Sequence, residues 1–317
     1  MSNVGIFRFH SQDNFELAKF EAEQLVPNSF EEMLDFPSPH FTILRVVSNA
    51  DHSQLESLKV WLETHPLASV LLPTIITDPT GDVEAIKQVL TEEMKTLVSD
   101  FDLEKIHFPI LQVALDLVSL QDAWRISREI PPSDRIFVEA GTPLVKSEGL
   151  KSITAIKQAR PGSYVVADLK TLDTGALEVK MAAEAGAEII SISGLADDAT
   201  LNAAIKEAKK QKRLLYVDMM NVKDPVNRLE RLKALPPIVL LHRGIDMEYA
   251  EKKHEWGFIP QLKQRFPQIR VAVAGGLNLE TTPAALQMGA DIIIVGRAIT
   301  QASNIKSTCE AFIQLLS

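Results

Sequence analysis

Residues 188–220 read EIISISGLADDATLNAAIKEAKKQKRLLYVDMM and contain one complete strand–helix–strand unit. The runs at 188–194 and 213–220 are short and apolar, which is typical of strands that are buried on both faces of a parallel sheet. The stretch between them, 198–211, has the pattern of an amphipathic helix and supplies the crossover that two parallel strands need. The unit therefore predicts an α/β fold.

The same alternation recurs from residue 111 onward. The strand-like runs are LQVALD (111–116), IFVEAG (136–141), YVVADLK (164–170), EIISISG (188–194), RLLYVDMM (213–220), IVLLHRG (238–244), RVAVAGG (270–276) and DIIIVGR (291–297). Eight strand–helix units predict a (β/α)8 TIM barrel. The alternative is an open doubly wound sheet, which usually has fewer strands and a GxGxxG turn that LQVALDLVSLQ lacks.

Residues 1–108 do not follow this alternation and predict a small α+β domain before a barrel domain at 109–317. Strand-like runs occur at 41–47 (FTILRVV) and 68–77 (ASVLLPTIIT). A helix is expected where apolar residues recur on one face, at Val83, Ile86, Leu90, Met94 and Leu97. The segment carries no chemical motif, so its role stays open.

Composition narrows the class of protein. The 317 residues are 46% hydrophobic and 24% charged, as in ordinary globular proteins. A formal net charge of −9 argues against nucleic-acid binding, which needs a dense cationic surface. The single cysteine, Cys309, excludes an internal disulfide, and no apolar run approaches the ~20 residues that span a bilayer. We therefore expect a cytoplasmic protein without a nucleic-acid or membrane partner.

Acidic residues end the early strands of the predicted barrel, at the edge where TIM barrels carry their active sites. They are Asp116, Glu139 and Asp168, and Lys170 follows two residues after the last of them. Three neighbouring carboxylates repel one another unless a positive charge lies among them. Either Lys170 or a divalent cation such as Mg²⁺ would supply that charge. We expect a functional cluster here rather than helix caps or separate surface charges.

The stretch VVADLKTLDTG, residues 165–175, places a second acid beyond this cluster. Alternate residues of a strand share a face, so Asp168 and Lys170 are expected to point toward one target. Asp173 lies just past the strand end, where the chain is free to turn away. It is either directed elsewhere or an N-cap for a helix that starts near Thr174.

Glycines end the late strands, in AVAGGLNLETTP and IIVGRAIT, and helices begin shortly after them. The loops after strands seven and eight of TIM barrels often bind phosphate, and glycines let backbone N–H groups approach an anion closely. Arg297 adds a forked donor suited to phosphate oxygens. His242 ends strand six and is either a satisfied core residue or a group that moves a proton. Together these features predict metal-assisted proton abstraction from a small sugar phosphate, giving an enediolate.

The spacing of Asp168, Lys170 and Asp173 resembles the Asp-x-Lys-x-x-Asp signature of the orotidine monophosphate decarboxylase superfamily. Within it, the chain is most similar to the 3-hexulose-6-phosphate synthases. The matching stretches are LQVALD, VEAGTPLVKSEGL, VVADLKTLDTG, VDMMNVKDPV, VAVAGGLNLET and DIIIVGRAIT. The resemblance covers residues 111–317 and leaves the first hundred or so unexplained.

This resemblance implies an aldol reaction of formaldehyde with D-ribulose 5-phosphate, giving D-arabino-3-hexulose 6-phosphate, or its reverse. It implies that Glu139 and Asp168 hold Mg²⁺, or alternatively Mn²⁺, which stabilises the enediolate as a Lewis acid. Asp116 and Lys170 would position and neutralise the same intermediate, and His242 would take the C1 proton.

Further roles follow from the resemblance. Asp218, at the end of strand five, would contact Lys170 without touching the substrate. Gly276, Gly296 and Arg297 would hold the substrate phosphate. The resemblance also implies a homodimer, in which Asp173 reaches into the neighbouring subunit's site.

The chain departs from the synthase pattern after strand six. Two alternatives to synthase activity stay open, a decarboxylase and a non-catalytic barrel. The synthases usually have His-Thr-Gly, whereas this chain has His242, Arg243 and Gly244, so an extra cation either enters the site or points away. The related 3-keto-L-gulonate 6-phosphate decarboxylases resemble the site but carry arginine where this chain has Ile245. The other alternative is a non-catalytic regulatory barrel, against which the intact charged residues argue.

Overall fold

The computed structural model describes residues 106–160, 162–244 and 256–316, together with four strands in the first hundred residues. The chain divides into two compact units, Met1–Thr96 and Leu97–Ser317.

The four strands of the first unit form one sheet. They are β1 (Asn3–Phe9), β2 (Phe30–Asp35), β3 (Thr42–Ser48) and β4 (Thr74–Ile76). Their order is β2-β3-β1-β4, and all three pairings are antiparallel. The helix expected over residues 83–97 lies outside the described residues. The small α+β domain therefore stays a prediction.

The second unit contains a closed barrel of parallel strands. These are β5 (Ile110–Leu115), β6 (Ile136–Ala140), β7 (Tyr164–Thr171), β8 (Ile189–Ser193), β9 (Leu214–Asp218), β10 (Ile238–His242), β11 (Arg270–Ala274) and β12 (Ile292–Val295). Each strand pairs with the next along the chain, and β12 closes the barrel by pairing with β5. The predicted (β/α)8 TIM barrel is confirmed.

Helices separate the barrel strands along the chain. The described ones are α1 (Leu120–Glu129), α2 (Thr142–Glu148), α3 (Lys151–Ala159), α4 (Gly175–Glu184), α5 (Asp198–Lys210), α6 (Pro225–Glu230), α7 (Phe258–Arg265), α8 (Thr282–Gln287), α9 (Arg297–Thr300) and α10 (Ile305–Leu315). Side-chain caps begin three of them, at Ser119, Asp224 and Asn304. Among these described helices none is long and apolar enough to cross a bilayer.

Alternation along the strands divides the core into two parts. One set of side chains, including Leu111, Val138 and Val239, packs between the strands and the surrounding helices. The other set fills the barrel interior, where Ile110, Ile189 and other apolar residues form a separate cluster. The next inward positions toward the C-terminal strand ends are polar at several strands, and these positions carry the candidate site.

Candidate active site

A cavity of about 710 Å³ opens at the C-terminal ends of the barrel strands. Its lining includes most residues that the sequence marked as functional: Asp116, Glu139, Asp168, Lys170, His242, Gly276, Gly296 and Arg297. The structure therefore brings the acids, the lysine, the histidine and the glycine loops to one cavity. Asp173 is exposed and is not among the lining residues.

Asp218 joins the lysine and the histidine beneath this cavity. Its Oδ2 accepts a hydrogen bond from Lys170 Nζ at 2.8 Å and lies 2.9 Å from His242 Nδ1. Its Oδ1 accepts one from the backbone N–H of Met220 at 2.9 Å. Burial alone would raise the pKa of Asp218, but the hydrogen bond with His242 and the positive charge of Lys170 hold this pKa well below its usual range.

This contact decides what His242 is able to do. An ionised carboxylate only accepts hydrogen bonds, so Nδ1 of the half-buried His242 carries the proton that faces Asp218. In the neutral ring, Nε2 then keeps an unprotonated lone pair. Because His242 lines the cavity, this nitrogen is the one available to take a proton from a ligand there.

Lys170 reaches the site through an irregularity in β7. The pairing register with β8 shifts between Ala167 and Thr171, and Lys170 has a positive φ of 48°. Its Nζ also lies 2.9 Å from Asp168 Oδ2, so the amine pairs with two carboxylates. Burial alone would lower the pKa of Lys170, but the charges of Asp168 and Asp218 raise it, so the amine stays protonated.

The carboxylates on the early strands crowd one another. Burial, followed by the charges of Asp168 and Asp116, raises the pKa of Glu139 well above its usual range. Desolvation and the charge of Asp168 also raise the pKa of Asp116, although this side chain keeps contact with solvent. Gly141 allows this arrangement, since an added Cβ there would lie 2.3 Å from Asp116 Oδ1. Further positive charge at this point would relieve the repulsion.

The glycine loops after β11 and β12 form another part of the cavity wall. Gly275 and Gly276 have positive φ angles of 105° and 65°. A Cβ on Gly275 would lie 2.3 Å from the backbone oxygen of Arg243, so only glycine fits there. Arg243 lines the cavity and donates from Nη2 to the Gly275 oxygen at 3.3 Å, which shows that this extra cation enters the site.

Comparison with known proteins identifies the family. Residues 109–312 match the model of the orotidine 5'-phosphate decarboxylase / HUMPS family. The chain belongs to this family. The superfamily resemblance seen in the sequence is thereby confirmed.

Curated relatives of the chain are named as enzymes. "Bifunctional enzyme Fae/Hps" of Methanothrix thermoacetophila is 50% identical over 208 residues, which are 66% of this chain and 53% of the relative. The chain thus spans about half the length of the curated relatives that it matches.

Solved structures of family members share the barrel. A 3-hexulose-6-phosphate synthase from Salmonella typhimurium is 33% identical with a TM-score of 0.61, over 65% of this chain and 98% of that one. A 3-keto-L-gulonate-6-phosphate decarboxylase from Vibrio cholerae is 25% identical with a TM-score of 0.56, over 66% of this chain and 98% of that one. The synthase is the more similar of the two.

Two hydroxyl groups outside the family signature hold Asp168, and sequence reasoning missed both. Ser191 Oγ donates to Asp168 Oδ1 at 2.6 Å, and Thr142 Oγ1 donates to Oδ2 at 2.6 Å. Ser191 occupies an inward position of EIISISG, so strand alternation was the available signal. Thr142 is the first residue of α2, and no sequence pattern marks it as a partner of Asp168.

Asp173 lies where the family signature ends, outside its own cavity. It accepts a hydrogen bond from the backbone N–H of Thr174 at 2.7 Å. The helix α4 starts at Gly175, and its N-cap residue is Thr174, in the left-handed region with φ 52°. Asp173 is therefore not the N-cap residue, and the alternative that made it one is wrong.

We expect Asp218→Asn to destabilise the protein by roughly 3 kcal/mol at pH 7, since it removes the buried anion that pairs with Lys170. The pKa of Asp218 is lowered on folding, so its charge stabilises the fold above the unfolded pKa of about 3.9. That contribution is lost as the pH falls further. The gap between wild type and variant should therefore narrow below about pH 4 in urea unfolding.

The exposed Asp122→Asn provides the matched control, with an expected effect below about 1 kcal/mol at any pH. A gap for Asp218→Asn that stays constant from pH 7 to pH 3 would show that the charge of Asp218 does not stabilise the fold.

Proposed function

We propose that the barrel catalyses the aldol condensation of formaldehyde with D-ribulose 5-phosphate to D-arabino-3-hexulose 6-phosphate, and the reverse reaction. The observation that carries this proposal is the Lys170–Asp218–His242 arrangement, in which one buried carboxylate holds a cation and a base on the same cavity. Such a pair suits the removal of a proton next to a carbonyl, where negative charge develops on oxygen. The 33% identity to a solved 3-hexulose-6-phosphate synthase supports the substrate assignment.

The phosphate end of the substrate would lie against the loops after β11 and β12. Gly276 and Gly296 offer backbone close to the cavity, and Arg297 offers a forked donor. Arg243 adds a second guanidinium beside Gly275. Since phosphate is bound alike in the ground state and the transition state, these residues would contribute affinity rather than turnover.

His242 Nε2 would remove a proton from C1 of the bound sugar. The C1–H bond breaks, its electron pair forms the C1=C2 bond of the enediolate, and the C2 carbonyl oxygen gains the negative charge. Lys170, kept protonated by its acidic neighbours, would stabilise that oxygen, and Asp116 would orient the sugar hydroxyls. The C2 carbonyl then re-forms while the C1=C2 electron pair attacks the carbon of formaldehyde, and the resulting alkoxide takes up the proton that His242 had removed.

The pair Glu139 and Asp168 suits a hard divalent cation, Mg²⁺ or alternatively Mn²⁺. Both groups offer oxygen ligands, and the mutual repulsion of the acids favours added positive charge. Within the part of the chain that the structure describes, no three Asp, Glu, His or Cys side chains are arranged to bind a metal on their own. Water and substrate oxygens would complete the shell, as is usual for Mg²⁺. The ion would supply Lewis-acid polarisation of the substrate carbonyl.

A homodimer would give Asp173 a role. This aspartate is exposed outside its own cavity. Leu172 precedes it in the chain, and Leu177 and Met181 lie on the helix α4 that follows; the three side chains are 61%, 56% and 42% exposed. Exposed apolar side chains on the segment that carries a charged residue suit an interface with a second subunit. Asp173 would then serve the neighbouring subunit's site.

Turnover assays test the activity directly. We expect protein supplied with formaldehyde and ribulose 5-phosphate to form the hexulose phosphate, to lose this activity on treatment with a chelator, and to regain it with added Mg²⁺ or Mn²⁺. Faster decarboxylation of 3-keto-L-gulonate 6-phosphate would favour the decarboxylase alternative. Absence of both reactions would favour a regulatory barrel, and full activity in metal-free protein would exclude the metal.

A mixing experiment tests the dimer. Lys170→Ala and Asp173→Ala homodimers should each be nearly inactive, but a mixed dimer has one site with both residues lost and one with both intact. Random reassortment makes about half the dimers mixed, so about a quarter of wild-type activity should return. If subunits exchange, as shown by differently tagged chains, and activity stays absent, then Asp173 does not act across the interface.

A further inference from the structure

A chain of hydrogen bonds runs through the barrel interior below the cavity. The hydroxyl of Tyr216 donates to Gln112 Oε1 at 2.9 Å, and Gln112 Nε2 donates to Glu139 Oε2 at 2.6 Å. Gln112 and Tyr216 are each 1% exposed, and neither lines the cavity, whereas Glu139 does. These two hydrogen bonds therefore reach the Glu139 carboxylate from inside the barrel.

The donor and acceptor chemistry of Tyr216, Gln112 and Glu139 fixes which group donates in each of the two hydrogen bonds. The Tyr216 hydroxyl has a single proton, which it donates to the carbonyl oxygen of the Gln112 amide. The amide nitrogen is then turned toward Glu139, and it is a donor only. The reversed amide would place two acceptor oxygens against each other at Glu139. The Glu139 carboxylate, which only accepts, therefore sets the orientation of Gln112, and the Tyr216 hydroxyl satisfies the amide oxygen in that orientation.

Packing alone gives no reason for these polar groups. In register, Gln112 lies between Phe137 on β6 and Ile294 on β12, both buried and apolar. Tyr216 lies beside Ile238 of β10 in the same interior cluster. An apolar side chain at position 112 would fill this layer without the cost of burying an amide. The two hydrogen bonds are better explained by the Glu139 carboxylate that they hold at the cavity.

We propose that Tyr216 and Gln112 are positioning residues that orient Glu139 toward a divalent cation in the cavity. The proposal rests on the metal site of the proposed function. The bond from Gln112 fixes Oε2 on the interior side and leaves Oε1 of Glu139 as the oxygen for the ion. Partners of this kind fix the orientation of a metal-binding group, and their removal typically weakens metal binding about 10- to 100-fold.

Metal titration tests the proposal without reference to turnover. Protein stripped by a chelator is titrated with MnCl₂ in a calorimeter, as wild type, Tyr216→Phe and Gln112→Met. We expect the Kd for Mn²⁺ to rise about 10-fold in Tyr216→Phe, which loses only the hydroxyl, and up to about 100-fold in Gln112→Met. Tyr164→Phe is the matched control, because it removes a hydroxyl from another tyrosine that packs on the interior cluster, and its Kd should stay within about twofold of wild type.

The outcomes separate this proposal from the proposed function. If wild type binds Mn²⁺ and both variants bind it equally well, the positioning role is wrong while the metal site stands. A lower melting temperature with an unchanged Kd has the same meaning, because it shows a purely structural role. If wild type binds no Mn²⁺, the metal site is wrong and the positioning role falls with it. Should Gln112→Met fail to fold, Tyr216→Phe alone decides.

Discussion

Asp218 is the buried anion on which the arrangement of the cavity depends. An unpaired carboxylate at this depth would cost several kcal/mol, and the contacts with Lys170, His242 and the Met220 N–H offset that cost. Lys170 comes from β7 and His242 from β10, and Asp218, at the end of β9, holds both. A single carboxylate thereby sets the distance between the cation, the base and the ligand that both would contact.

The acidic side chains at the C-terminal ends of β5, β6 and β7 repel one another. Glu139, Asp168 and Asp116 carry like charges, and burial combined with their mutual repulsion raises the pKa of both Glu139 and Asp116. Within the protein, Asp168 is stabilised by Lys170 and by two hydroxyl groups. Such a cluster lowers stability unless a ligand relieves it, which is the common cost of a functional site built on a well-packed barrel. A cation at this point would balance the negative charge that the protein leaves uncompensated.

Strand positions were predictable because each barrel strand is buried on both faces and reads as a short apolar run. The same reasoning placed Asp116, Glu139 and His242 at the cavity, since strand ends in a closed parallel barrel meet at one edge. The backbone of Lys170 was not predictable, because its positive φ arises from a register shift that only the pairing with β8 defines. The sequence pattern also left open whether Arg243 enters the site.

Hydrogen-bond partners that are distant along the chain were not predictable from the sequence, for a related reason. Gln112 and Tyr216 are 104 residues apart, and their hydrogen bond exists only because the barrel closes. In the sequence, each is one polar residue within an apolar run and carries no spacing signal. Asp173 shows the converse case, since its place in a signature marks it as functional while its exposed position gives it no role in its own cavity.

Hydrogen exchange at C1 of ribulose 5-phosphate, followed by proton NMR in deuterated water without formaldehyde, tests the central claim most directly. The account predicts that wild type exchanges this proton and that His242→Ala slows the exchange by at least about 100-fold, with the affinity for ribulose 5-phosphate little changed. Exchange in His242→Ala at the wild-type rate would contradict the claim that the histidine held by Asp218 is the base.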